Sequence, residues 1–115
     1  MEYEVKVTPY ALRQMQEIVR YISSTLQSPE NAIHWLNMME EELTSLTAMP
    51  ARVSLTDEEP WHSQGIHKMG VKNFLVYFWI DTDNLRVWIT AVVYGRRDQR
   101  QQLEQMQMPE GYFGV

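Results

Sequence analysis

Seven consecutive residues, Phe74-Leu75-Val76-Tyr77-Phe78-Trp79-Ile80, are large and apolar without interruption. Successive side chains of a strand point to opposite faces, so this run cannot lie with one face in water. It reads as a central strand covered on both sides. It is far too short to cross a bilayer, which needs roughly 18–20 apolar residues, and no longer run exists, so no membrane role is expected. Asp81-Thr82-Asp83-Asn84 supplies turn chemistry. Beyond it, Leu85, Val87, Ile89, Ala91 and Val93 alternate with Arg86, Trp88, Thr90, Val92 and Tyr94, a second strand that closes an antiparallel hairpin. Gly65-Ile66-His67-Lys68-Met69 opens another strand ahead of the run, after an irregular connection over residues 50–64.

The first half has a different period. Tyr3-Glu4-Val5-Lys6-Val7 alternates like a half-buried strand and stops at Thr8-Pro9, a helix cap followed by a residue whose missing N–H costs nothing at the first helical position. Ala11, Met15, Ile18, Ile22 and Leu26, widened by Leu12 and Val19, then predict an amphipathic helix of about 18 residues. Ser28-Pro29-Glu30 repeats the start signal, and Ile33, Leu36, Met39, Leu43 and Leu46 mark a second helix ending before Pro50. So short a link makes the two helices an antiparallel hairpin. Glu40-Glu41-Glu42 falls mostly on its outer face, as a solvated run. The order strand, helix, helix, then three strands predicts an α+β fold, β-α-α-β-β-β, with the helical hairpin packed on a four-stranded antiparallel sheet.

At 115 residues the chain fits one domain, 1–115, with 99–115 a polar, Gln-rich tail whose large apolar residues are Leu103, Met106 and Met108 before Tyr112-Phe113. The absence of cysteine excludes a disulfide scaffold, a thiol nucleophile and a Cys-ligated zinc site. Neither a basic nor an apolar signal-peptide segment opens the sequence, so the expected location is cytoplasmic. The net charge of −5 argues against a strong nucleic-acid binder, but it is unevenly spread. Residues 1–60 carry four basic and ten acidic side chains, a balance of −6, whereas residues 61–100 carry six and three, a balance of +3. An anion-facing surface therefore belongs to the second half.

Over roughly residues 3–100 the chain resembles the RelE/ParE family of bacterial type II toxin–antitoxin systems. The resemblance is carried by the opening strand with Thr8-Pro9-Tyr10-Ala11, the helical hairpin, Asn73 through Asp81, and the closing Ala91-Val92-Val93-Tyr94-Gly95-Arg96-Arg97-Asp98. It implies a toxin held inactive by a cognate antitoxin that wraps around it. RelE-like members cut messenger RNA on the ribosome; ParE-like members poison DNA gyrase without cutting RNA. The expectation is ribosome-dependent mRNA cleavage. The alternatives are a ParE-like gyrase poison, which contacts gyrase through the hairpin or the tail, and a weakly toxic antitoxin-binding relative.

Metal-free RNA cleavage needs a base for the 2′-hydroxyl, an acid for the leaving oxygen and a cation on the phosphate. Arg96 and Arg97 lie at a strand end where an arginine fork suits a phosphate, with Asp98 placed to orient one of them. The resemblance matches Arg97 to a basic residue of RelE-like nucleases and puts His67 and Lys68 near their catalytic basic positions. His67 suits acid–base work near neutral pH. As strand neighbours, His67 and Lys68 face opposite sides, His67 with Met69 and Lys68 with Ile66 and Gly70. Tyr94 stands where related nucleases have a histidine. It can stack on a base, but a phenol with an ordinary pKa of about 10 is a poor general base. Phe74 stands where an arginine is common. The candidate catalytic set is thus Arg97, Arg96, His67, Lys68 and Tyr94, with no cofactor and no metal, since the His34/Trp35 and Trp61/His62 pairs fit no ligand spacing.

Overall fold

The structure, a computed structural model, describes residues 2–109 and 112. Its elements are β1 (Glu4–Val7), α1 (Pro9–Arg20), α2 (Pro29–Thr44), β2 (Ile66–Val71), β3 (Phe74–Asp81), β4 (Arg86–Tyr94) and α3 (Gln99–Glu104). The four strands form one sheet in the order β1-β4-β3-β2. The apolar run is β3, an inner strand as its two-sided composition requires. Val76 and Phe78 face the helices, Tyr77 faces the other side, and all three are fully buried.

The sheet is mixed rather than purely antiparallel: β1 runs parallel to β4, with Val5 opposite Val87 and Val7 opposite Ile89. The hairpin fixes the direction of β4, and the helices supply the long crossover that a parallel pair demands. The Thr8 N–H donates to the Ile89 carbonyl at 3.0 Å, so α1 starts beside β4 and packs directly over it.

Thr8 caps α1 as its position predicts, its hydroxyl accepting from the Ala11 N–H at 3.2 Å. The helix does not continue uniformly to Leu26. Residues Tyr21–Thr25 widen into a π-turn in which the Leu26 N–H reaches the Tyr21 carbonyl, and Tyr21 and Leu26 swing outward, more than half exposed. The second start signal works through Pro29 and the first-turn acid Glu30, since the Ser28 hydroxyl makes no cap bond. The buried stripe of α2 is Ala32, Trp35, Met39 and Leu43, continued by Leu46. Ile33, expected inside, is 59% exposed: the indole of Trp35 takes the inward position and lies edge-on to Phe74 at 5.3 Å. Burial of a side chain of that size stabilises by about 2–3 kcal/mol, enough to set which face of the helix turns inward.

The alternation expected along β4 breaks once. Tyr77 pairs with Ala91 and Phe78 with Ile89, which leaves Thr90 as an extra residue. This bulge turns the rest of the strand over. Val87 and Ile89 face the helices before it, and Val92 does so after it. The Thr90 hydroxyl donates to the Tyr77 carbonyl at 3.2 Å, securing the kink.

The second face of the sheet is also closed. Trp61, from the connecting loop, and Leu103, from α3, cover Ile66, Tyr77, Ala91 and Val93. The polar tail therefore contains a short helix, docked by its few large apolar residues, with Met106 and Met108 packed on the same cluster. Tyr112 lies edge-on to Trp79 at 5.1 Å; Phe113, expected beside it in the tail, lies outside the described residues.

Candidate functional site

A groove of about 580 Å³ opens between the C-terminal half of α1 with its π-turn and the end of the β3–β4 hairpin. Ile18, Ile22 and Leu26 form one wall, Phe74, Val92 and Tyr94 the floor, and Arg97 and Gln102 the far rim. The bulge at Thr90 builds this floor, because it brings Tyr94 to the helix side opposite Phe74, ring to ring at 5.5 Å. Gly95 closes the hairpin end: its N–H donates to the Asn73 carbonyl at 2.7 Å, and a Cβ on it would stand 3.0 Å from that same oxygen.

Gln14 anchors the groove from beneath. It is a buried polar residue of α1 whose amide oxygen accepts the Val92 N–H at 2.8 Å and whose amide nitrogen donates to Gln102 Oε1 at 3.4 Å. The Tyr10 hydroxyl donates to the Gln102 carbonyl at 2.9 Å. Burial, reinforced by the negative charge of Glu17, pushes the Tyr10 phenol above its ordinary range despite Arg13. It stays a neutral donor at physiological pH. Sequence reasoning passed over Gln14; its one signal was a polar residue at the three-residue step from Ala11, inside an otherwise apolar stripe.

The candidate catalytic residues divide. Tyr94 and Arg97 meet in the groove, and the Arg97 N–H donates to the Tyr94 carbonyl at 2.9 Å. Arg96 is exposed beside them. Neither arginine forms an ion pair among the described residues. Asp98, expected to orient one of them, instead caps α3 by accepting the Gln101 N–H at 3.2 Å. His67 faces the helices with Met69, as strand alternation requires, but it is opposite Phe78, four residues along β3 from Phe74 and Tyr94, roughly 13 Å away along the sheet. Its ring stacks on Phe78 at 5.0 Å, with Nδ1 2.7 Å from the Val53 carbonyl.

Lys68 points to the other face and is engaged there by Glu58 at 3.1 Å. Burial raises the Glu58 carboxyl, but the Thr56 hydroxyl and the Lys68 ammonium outweigh it and hold the group below the ordinary range. The face that Lys68 joins is the packed cluster of Trp61, Tyr77 and Leu103. Tyr77, opposite Lys68, has its phenol pushed far up by burial, with Glu58 adding to the effect. No group of three or more His, Asp or Glu side chains converges among the described residues. No helix there is long and apolar enough to cross a membrane.

By sequence, residues 5–99 match the family described as ParE toxin of type II toxin–antitoxin system, parDE. The chain belongs to the ParE toxin family. No curated protein matches it significantly by sequence. Solved structures share its fold. One is the chromosomal ParDE toxin–antitoxin system of P. aeruginosa, at 17% identity and TM-score 0.66, covering 81% of this chain and 96% of that one. Another is the RelBE2 toxin–antitoxin complex of Mycobacterium tuberculosis, at 19% and 0.58, covering 82% and 99%. A free-state mutant of the E. coli RelE toxin follows at 12% and 0.59, covering 91% and 94%. The chain is thus a toxin of a type II toxin–antitoxin system with the fold shared by ParE and RelE toxins.

Proposed function

We propose that this ParE-family toxin acts by binding, as a ParE-like poison of DNA gyrase, and that its antitoxin occupies the groove between α1 and the β3–β4 hairpin. The observation that carries this reading is the dispersal of the basic and titratable groups that RNA cleavage would need. Arg97 and Tyr94 share the groove, His67 is stacked elsewhere on Phe78, and Lys68 is paired to Glu58 on the opposite face of the sheet. A base, an acid and a phosphate clamp acting on one phosphodiester must lie within hydrogen-bond reach of it. Here Arg96, Arg97 and Tyr94 serve recognition: an amphipathic antitoxin segment lays its apolar side on Ile18, Ile22 and Tyr94 and a carboxylate against Arg97. The gyrase contact falls to the helical hairpin, whose outer face exposes Leu12 and Ile33.

The purified toxin should inhibit gyrase supercoiling, and its expression should arrest growth with a DNA-damage response. A RelE-like ribonuclease reading retains support from Arg96 and Arg97 at the strand end, which form no ion pair among the described residues. It would displace this proposal if the toxin cut ribosome-bound mRNA and Arg97→Ala abolished the cutting. Expression without growth arrest would favour the weakly toxic, antitoxin-binding relative.

A further inference from the structure

The C-terminal strap, α3 with residues 105–109, lies almost wholly beyond residue 99, where the family match ends. It covers the second sheet face, yet among the described residues its backbone-to-backbone hydrogen bonds run only to Asp98 or stay within the C-terminal segment, and the one main-chain group held by the body is the Gln102 carbonyl, which accepts from the Tyr10 hydroxyl. It is held by side chains: Leu103, 1% exposed, on the Trp61–Tyr77 cluster; Gln102 under Tyr10 and Gln14; and Arg100, which donates to the Glu59 carbonyl and lies over the Trp61 ring at 5.2 Å. Its far end packs Met106 and Met108 on the same cluster, and Tyr112 beyond it donates to the Gln64 carbonyl at 3.2 Å, but the space beneath it is not filled. A cavity of about 240 Å³ remains between Pro9, Tyr10 and Trp88 on the body and Gln107, Met108 and Pro109 on the strap. Permanently packed interiors fill such space.

The strap also forms part of the groove. Gln102 lines the rim, and Gln14 touches both Gln102 and the β4 main chain. With the strap released, the groove loses that wall. An occupant of the groove therefore binds the strapped form more tightly, and by linkage holds the strap down.

We propose that the strap is a detachable cover over the aromatic second face of the sheet, released in the free toxin and locked when the groove is filled. The locking half rests on the antitoxin filling the groove. The chain has no cysteine, so single thiols report directly. In the free toxin, Leu103→Cys should react with a thiol reagent at least tenfold faster than Val76→Cys, a position fully buried in the inner strand. Equal rates would overturn the detachable cover. In the toxin–antitoxin complex the Leu103→Cys rate should fall at least fivefold. An unchanged or faster rate, in a complex that Tyr94→Ala weakens, overturns the lock alone. A complex indifferent to Tyr94→Ala overturns the groove reading, and the lock with it. Because Leu103→Cys itself trims the strap, hydrogen exchange on the unsubstituted chain gives the independent measure. Amides of α3 should exchange at least tenfold faster than those of β3 in the free toxin and slow in the complex; uniform exchange would overturn the release.

Discussion

Gln14 carries more of the site than any titrating group. Its single amide joins α1, β4 and α3, so truncation strands the buried Val92 N–H without an acceptor. Gln14→Ala should lower unfolding stability by about 1–3 kcal/mol in urea titration, the cost of an unsatisfied buried donor. Glu58 makes a smaller, pH-dependent contribution. Its carboxyl is held below the ordinary glutamate value of 4.5, so the stabilisation is complete above that value and lost as pH falls through the lower folded one. The stability difference between wild type and Glu58→Gln, measured by thermal melting, should therefore shrink from pH 7 to pH 3. Constancy across that range would show that the pair with Lys68 contributes nothing.

Elements with a strong period were readable in the chain; places where two demands compete were not. The run at residues 74–80 identified an inner strand because no other placement hides both faces, and Thr8-Pro9 fixed the start of α1 through a cap that forms. The opposite faces of His67 and Lys68 followed from alternation alone. By contrast, Ile33 and Trp35 both suit a buried stripe, and only the tertiary fit to Phe74 decides between them. The direction of β1 depends on where α1 must begin, a non-local matter. The floor of the groove depends on a bulge with no composition signal, since Thr90 reads as an ordinary strand residue. Gly95 has a clearer local reason. A methyl there would press on the Asn73 carbonyl, so Gly95→Ala should destabilise by about 1–3 kcal/mol, as overpacking does, and should weaken antitoxin binding by spreading the Phe74–Tyr94 floor. A Gly95→Ala protein with wild-type melting behaviour would show that the hairpin end yields freely.

For the molecule as a whole, the division of charge now has a location. The acidic balance of −6 belongs to residues 1–60, which include the helical hairpin, while Arg96 and Arg97 mark the groove end of the sheet. If the antitoxin fills the groove as proposed, an acidic segment of it would be steered toward that end of the toxin. Arg97→Ala should chiefly slow association and flatten its salt dependence. Tyr94→Ala, which removes the groove's aromatic floor, should cost about 2 kcal/mol of antitoxin affinity, the scale of an interface anchor. Titration calorimetry separates the two, and equal losses of affinity from both variants would contradict the assignment of anchor and rim.

The extra residue at Thr90 has a consequence for how such a chain can change over generations. Upstream of it, odd-numbered positions of β4 serve the helices; downstream, even-numbered ones do. Substitutions in the two stretches are therefore filtered by different parity rules, and the groove floor can be retuned at residues 92 and 94 without disturbing the odd-numbered contacts that hold the helices at 87 and 89. Loss of Thr90 would make the pairing regular, Ile89 opposite Phe78 and Ala91 opposite Tyr77, and would leave Val92 and Tyr94 on the helix side. The extra residue can therefore come and go in a lineage without changing which side chains floor the groove, and a different floor needs substitution at 92 or 94 themselves.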